Sequence, residues 1–229
     1  MIILSIDPAS RTLGYTVIEL DENIFNLLTP EYYNSLTKSK KKRLDPPLTF
    51  LESLDYIKIL ECNVISILDK KYPIQKTTKY CTRRSRNLRV LTRRLKDQYD
   101  INRVYIEMQP LTLYSNHNTR VMENIRMEFI DYDIHIVNAR LKNKIYYQDN
   151  LIHQDYVGGV DNPDNYPSNK SHSKDNFLFA CDKYDIDPYS DVINNITGTK
   201  RIKSKKLDDV ADAFNQIVGA LFFHNHIIE

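Results

Sequence analysis

The chain holds only three cysteines, Cys62, Cys81 and Cys181, odd in number and far apart. Neither a disulfide framework nor a C-x-x-C zinc or redox site fits that spacing, so a reducing compartment inside a cell, cytoplasm or nucleus, is expected. Five glycines and nine prolines are too few for a collagen-like or linker-dominated chain. No apolar run approaches the roughly 18 residues a helix needs to cross a bilayer, and no membrane partner is expected. The apolar run Ile2 to Ile6 at the start lacks a basic n-region or an Arg-rich amphipathic leader, so neither a secretory nor an organellar address is expected. What is present, 41% hydrophobic and 27% charged residues over 229, is a globular composition long enough to bury a sizeable core without staples. Residues 1–229 are taken as a single domain with insertions.

The net charge of +2 averages over an uneven distribution. Lys38 to Arg43, Arg83 to Lys96 and Lys200 to Lys206 hold 17 of the 32 basic residues, with no acidic residue inside any of them. One such cluster alone is a solvated helix face. Three together favour a polyanion partner, because phosphate neutralisation releases counterions and dominates nucleic-acid affinity. Arg83, Arg84, Arg86, Lys205 and Lys206 are the candidate DNA contacts within them.

Along the chain, Ile2 to Ile6 has the β-branched character of a strand buried on both faces, and Leu13 to Leu20 follows after a turn with Pro8, Ser10 and Gly14. With Ile24 to Leu28 these are expected to form an antiparallel meander. Residues 29–98 are expected to be a helical and basic insertion: Pro46 and Pro47 break it, and Leu51, Leu54, Ile57, Leu60 and Val64 recur at helical spacing. Leu88 to Tyr99 is a basic helix candidate. Arg103 to Glu107 returns to strand, followed by a helix over Asn118 to Ile130 and a strand over Ile134 to Val137. The polar stretch Asp149 to Ser173 is expected to be a mobile loop, with a short helix over Lys174 to Tyr184 and a last one over Leu207 to Phe223. No internal repeat is visible. The fold class is α/β, a mixed sheet flanked by helices.

Two acids end buried strands, Asp7 after Ser-Ile and Glu107 after Val-Tyr-Ile. If those strands are parallel neighbours, both carboxylates emerge at one sheet edge, where open α/β sheets bind ligands. The last helix adds Asp209 and Asp212, three apart and so on one face, while Val210, Phe214, Ile217, Val218 and Leu221 form its apolar stripe. Asp208 is more simply a cap or a favourable charge at the positive end of the helix dipole. Four carboxylates without Cys or His at ligand spacing describe a site for Mg²⁺ or Mn²⁺. Two such ions about 4 Å apart can activate a water and stabilise the leaving oxygen of a phosphodiester.

Ser5-Ile-Asp-Pro8 with Gly14 downstream, Ile106-Glu-Met-Gln-Pro110 and Lys206-Leu-Asp-Asp-Val-Ala-Asp212 resemble the three acidic motifs of the RuvC-type Holliday junction resolvases, closest to the branch found in poxviruses and related large DNA viruses. The resemblance implies an RNase H-like five-stranded mixed sheet, a homodimer, and divalent-metal cleavage of two opposed strands at a four-way DNA junction. For a virus of that branch, the compartment would be a cytoplasmic viral factory. Carried over by position, the acidic tetrad falls on Asp7, Glu107, Asp209 and Asp212. Family members also place a functional lysine before the penultimate helix; Ser173-Lys-Asp-Asn-Phe177 is similar to that place, which makes Lys174 the candidate and Lys170 the reserve, beside the alternative of an exposed loop lysine.

Two other classes stay in view. An actin-like or sugar-kinase ATPase also has a phosphate loop after a first strand ending in Asp, but here Pro8 and Ala9 stand where glycine is needed. A non-catalytic DNA-binding protein on the same fold would retain clustered carboxylates at a cost. His224 and His226 lie without a second ligand cluster and are assigned to solvent; Lys40 to Arg43 reads either as a nuclear address or as a DNA-contacting or solvated loop. In the helix after Glu107, Val121 and Ile125 form a row for the sheet, and Met122 and Phe129 are expected to meet a symmetry mate or to be buried within the subunit. Tyr114 is the candidate for stacking on a base at the crossover.

Overall fold

Strand β1, Ile2–Pro8, lies in the middle of the sheet and fixes its two halves. On one side it pairs antiparallel with β2, Thr12–Leu20, through a tight turn closed by the Ala9 amide donating to the Thr12 carbonyl. On the other it pairs parallel with β4, Arg103–Glu107, which pairs parallel with β5, Asp133–Val137. Strand β3, Ile57–Ser66, is antiparallel to β2 and completes a five-stranded order β3-β2-β1-β4-β5. The computed structural model describes residues 1–38, 42–68, 78–109, 116–142, 145–146, 151–152, 166–186 and 207–223.

Helices cover both faces. Above one lie α3, Thr78–Gln98, and α4, Asn116–Glu128, whose Leu88, Leu91, Leu95, Val121 and Ile125 meet Leu4, Ile6, Tyr15 and Val104. On the other lie the short helices α1, Pro30–Leu36, and α2, Phe50–Ser53, with α5, Tyr166–Lys183, and α6, Leu207–Phe223. Helix α6 is the centre of this second core: Phe214, Ile217, Val218 and Leu221 are fully buried, each contributing about 1.5–3 kcal/mol on removal from water. Its last carbonyls are satisfied by α1, where Tyr32 and Tyr33 hydroxyls donate to Phe222 and Leu221. Thr29 caps α1 and Pro30 opens it, a favourable helix start.

Several expectations are corrected. Residues Glu22–Asn26 form a 3₁₀ turn capped by Asp21, not a third strand of a meander. The third strand is Ile57–Ser66, inside the stretch expected to be a helical insertion. Most of β3 is covered on both faces, so it shows no period of two, and its pairing with β2 over nine positions overrides the helical spacing of Leu60 and Val64. Helix α5 begins at Tyr166, within the expected loop, and Leu151–Ile152 (β7) pairs with Ile145–Tyr146 (β6). Met122 and Phe129 are buried in the subunit, so that row does not meet a partner.

Candidate functional site

Parallel pairing of β1 with β4 runs from Ile3 opposite Arg103 to Ile6 opposite Ile106, leaving Asp7 and Glu107 side by side at the C-terminal edge of the sheet. Asp7 is paired across the hairpin with Gly14. That glycine is required by close approach: a Cβ there would overlap the Asp209 carbonyl and stand 2.9 Å from the Asp209 Cβ. The start of α6 thus seats directly on β2, and Thr12 Oγ1 donates 3.2 Å to Asp209 Oδ2. One turn later Asp212 faces the same edge, as the spacing of three predicts. Asp208 is buried and is not among the charges acting on Asp7, whereas Glu107, Asp209 and Asp212 are.

The residue missed by sequence reasoning is Lys142. Its Nζ lies 2.7 Å from Glu107 Oε2 and 2.8 Å from Asp212 Oδ2, in the middle of the acids. Burial would push this ammonium's pKa down, but Glu107, Asp212 and Asp7 outweigh it and hold the pKa well above the usual lysine value. Asp7 shifts oppositely from an ordinary carboxylate: desolvation first and Glu107 next hold its carboxyl well above the usual range, with Asp212 and Asp209 adding and Lys142 opposing. No motif marks Lys142. It follows β5 by a turn in which Asn138 Oδ1 accepts from the Arg140 amide, and its neighbour Leu141 packs against Gly219 of α6, where a side chain would collide.

Asp212 is further fixed from α5. Ser173 Oγ donates 2.7 Å to Asp212 Oδ1, and Asn215 Nδ2 donates to the Ser173 carbonyl at 2.8 Å and to the Ala211 carbonyl at 2.7 Å. Asn176 closes the buried network on Asn215 Oδ1 at 2.8 Å. The local sequence Ser173-Lys-Asp-Asn is therefore at the site, but through Ser173. Lys174 is half-buried one residue on, and Lys170 stands a turn earlier on α5.

Among the described residues, no three Asp, Glu, His or Cys side chains converge on one point as an assembled metal centre. Glu107 and Asp212 pair with the Lys142 ammonium instead, with Asp7 acting on it as well, and that cation marks a place where positive charge is stabilised. An oxygen-only donor set carrying four carboxylates against one ammonium fits a hard divalent ion.

Of the expected DNA contacts, Arg83 and Arg86 are exposed on α3, whereas Arg84 is buried. Other bases of that helix are engaged internally: Arg89 pairs with Glu128, Arg94 with Glu61, and Lys96 lies over the Phe129 and Tyr132 rings. Tyr114, Lys205 and Lys206 lie outside the described residues, as do His224 and His226. Also among the described residues, no helix is long and apolar enough to cross a membrane.

No protein-family model and no curated protein matches the chain. Solved structures do. RuvC of Thermus thermophilus superposes with a TM-score of 0.51 at 11% identity, covering 97% of this chain and 94% of that one. The same protein in complex with Holliday junction substrate gives 0.50 at 9% identity, covering 97% and 93%. Fowlpox virus resolvase with its substrate Holliday junction DNA gives 0.48 at 18% identity, covering 96% and 97%. The fold is that of RuvC, an RNase H-like mixed sheet flanked by helices.

Proposed function

We propose that the chain is a divalent-metal-dependent endonuclease that resolves four-way DNA junctions by paired phosphodiester hydrolysis as a homodimer. The observation that carries this reading is the gathering of Asp7, Glu107, Asp209 and Asp212 around one cationic position at the C-terminal edge of β1 and β4. It stands on the fold of a protein whose structure holds Holliday junction substrate.

Asp7, Glu107, Asp209 and Asp212 would hold Mg²⁺ or Mn²⁺, two ions per site, which supply an activated water and charge neutralisation at the leaving oxygen. Thr12 and Ser173 orient Asp209 and Asp212 by donating to one oxygen of each. Lys142 holds Glu107 and Asp212 together through its two ion pairs, and where metal met those acids its ammonium would be placed to serve the scissile phosphate from the same edge. Lys142 thereby takes the role assigned from sequence to Lys174 or Lys170. Exposed Arg83 and Arg86 contribute backbone contacts, with Lys205, Lys206 and a stacking Tyr114 proposed from sequence.

A four-way junction has near two-fold symmetry and is cut twice, which two identical sites related by a dyad satisfy. Among the described residues the most exposed large apolar side chains are Met127, in the last turn of α4, and Ile130 just beyond it, 64% and 55% exposed, and they offer a surface for that contact.

The test is cleavage of synthetic four-way junctions beside linear, Y-shaped and flap DNA, with Mg²⁺, Mn²⁺ or EDTA. Paired nicks at the junction, absent in EDTA, are expected. Intact junctions in both metals, or ATP turnover in their place, would overturn the assignment.

A further inference from the structure

The same sheet edge carries, on its α3–α4 side, a second cationic feature with no part in the carboxylate cluster. Arg84, in the second turn of α3, is 2% exposed. Its Nη1 donates 3.4 Å to the Ser10 carbonyl in the turn that follows Asp7, and its Nε is buried with no hydrogen-bond partner. In the first turn of α4 stand His117, whose Nδ1 is also buried and unpartnered, and Arg120, which is exposed. Arg84 and Arg120 repel each other, and both act on His117. Among the described residues, no carboxylate is among the charges acting on Arg84 or His117.

A buried guanidinium beside a second one, with nitrogen donors left open, is costly unless an anion completes it. Both helices run antiparallel to β4, so their N-termini and positive dipole ends lie at this edge as well. The concentration of positive charge suits a tetrahedral oxyanion with several acceptor oxygens; a guanidinium fork matches such a group in two contacts. Arg120 is exposed to solvent, and the Arg84 contact with the Ser10 carbonyl ties the group to the segment that carries Asp7.

We propose that Arg84, His117 and Arg120 form a phosphate-binding pocket that grips one backbone phosphodiester of the DNA, away from the scissile bond, and so sets the strand's register against the carboxylate cluster. This rests on the nuclease reading above. These are positioning residues: they touch a phosphate that does not react.

The test is junction binding in EDTA, followed by fluorescence anisotropy, for the wild type and for Arg84→Gln, His117→Gln and Arg120→Gln. Each protein meets native junctions and junctions in which single phosphates are replaced by neutral methylphosphonate. For the wild type, one methylphosphonate position is expected to weaken binding about ten-fold, the scale of a lost charged hydrogen bond. Arg84→Gln and Arg120→Gln should lose as much on native DNA and nothing further at that position. In metal, they should cut native junctions at shifted or scattered positions, an effect that a loss of general charge would not give. Arg120 is exposed, so its variant carries the test if Arg84→Gln does not fold. Variants that fold and bind like the wild type, or whose losses add to every methylphosphonate alike, would overturn the pocket. A wild type that binds no junction would instead overturn the nuclease reading.

Discussion

Asp7 is the carboxyl most burdened by its surroundings, since desolvation and three like charges act on it against one ammonium. A carboxyl whose folded pKa is raised costs stability as the pH rises above its unfolded value of 3.8, so the cost is already present at neutral pH. Asp7→Asn should therefore raise the melting temperature in EDTA by a few degrees, since about 1 kcal/mol moves a domain of this size by roughly 2–4 °C. The same change should abolish both cleavage and the further rise that Mg²⁺ or Mn²⁺ gives the wild type. Thermal melts with and without metal check it, and a variant that melts lower in EDTA would show that the clustered charge is already compensated. The acids were legible in the sequence because each is fixed by a local rule, the end of a buried strand or the i, i+3 step of a helix. Lys142 was not, because its position depends on a turn after β5 seated against Gly219, more than 70 residues away in the chain.

At the scale of elements, Gly14 lets β2 and the start of α6 meet at that point without a side chain between them. Gly14→Ala has to displace the Asp209 carbonyl, which is backbone and does not swing aside. The expected loss is about 1–3 kcal/mol from overpacking, with weakened metal binding because Asp209 moves with the helix start. Equilibrium unfolding and metal titration of the variant check both parts. On the opposite face, α3 is clamped to the sheet by Glu61, which accepts from Arg94 and from the Tyr15 and Tyr99 hydroxyls. Burial alone would raise the Glu61 pKa, but these donors win and hold it below its ordinary 4.5. Its contribution is thus present above about pH 4.5 and disappears as the pH falls through the lowered value. Glu61→Gln should be less stable than the wild type at pH 7, and the gap should close on acidification; a gap independent of pH would mean that the clamp works through packing. This edge is also where the sequence misled. Helices with one wet face, such as α3 and α4, announce their period, whereas β3, mostly covered on both sides, does not.

For the whole molecule, the surface near the end of α4 is where the proposed dimer can be tested. Met127→Glu with Ile130→Glu changes two exposed side chains, so the subunit should keep its stability while the proposed dimer dissociates. Light scattering should then report a monomer that nicks junctions singly instead of in pairs; paired cuts by a monomer would sink the dimer. The sheet itself, with its central β1 and parallel β4, could be derived from sequence, because both strands end in the same chemistry. Which helix face stays exposed could not, since it depends on how α3 and α4 pack together. Helix α6 has one more consequence, in the order of synthesis. It brings two of the four carboxylates and much of one core, yet it is the last described element. The first 206 residues leave the ribosome with their basic clusters Lys38 to Arg43 and Arg83 to Lys96 already made, but without Asp209 and Asp212. If the chain is the nuclease proposed above, the growing polypeptide cannot assemble its four carboxylates until α6 has been made.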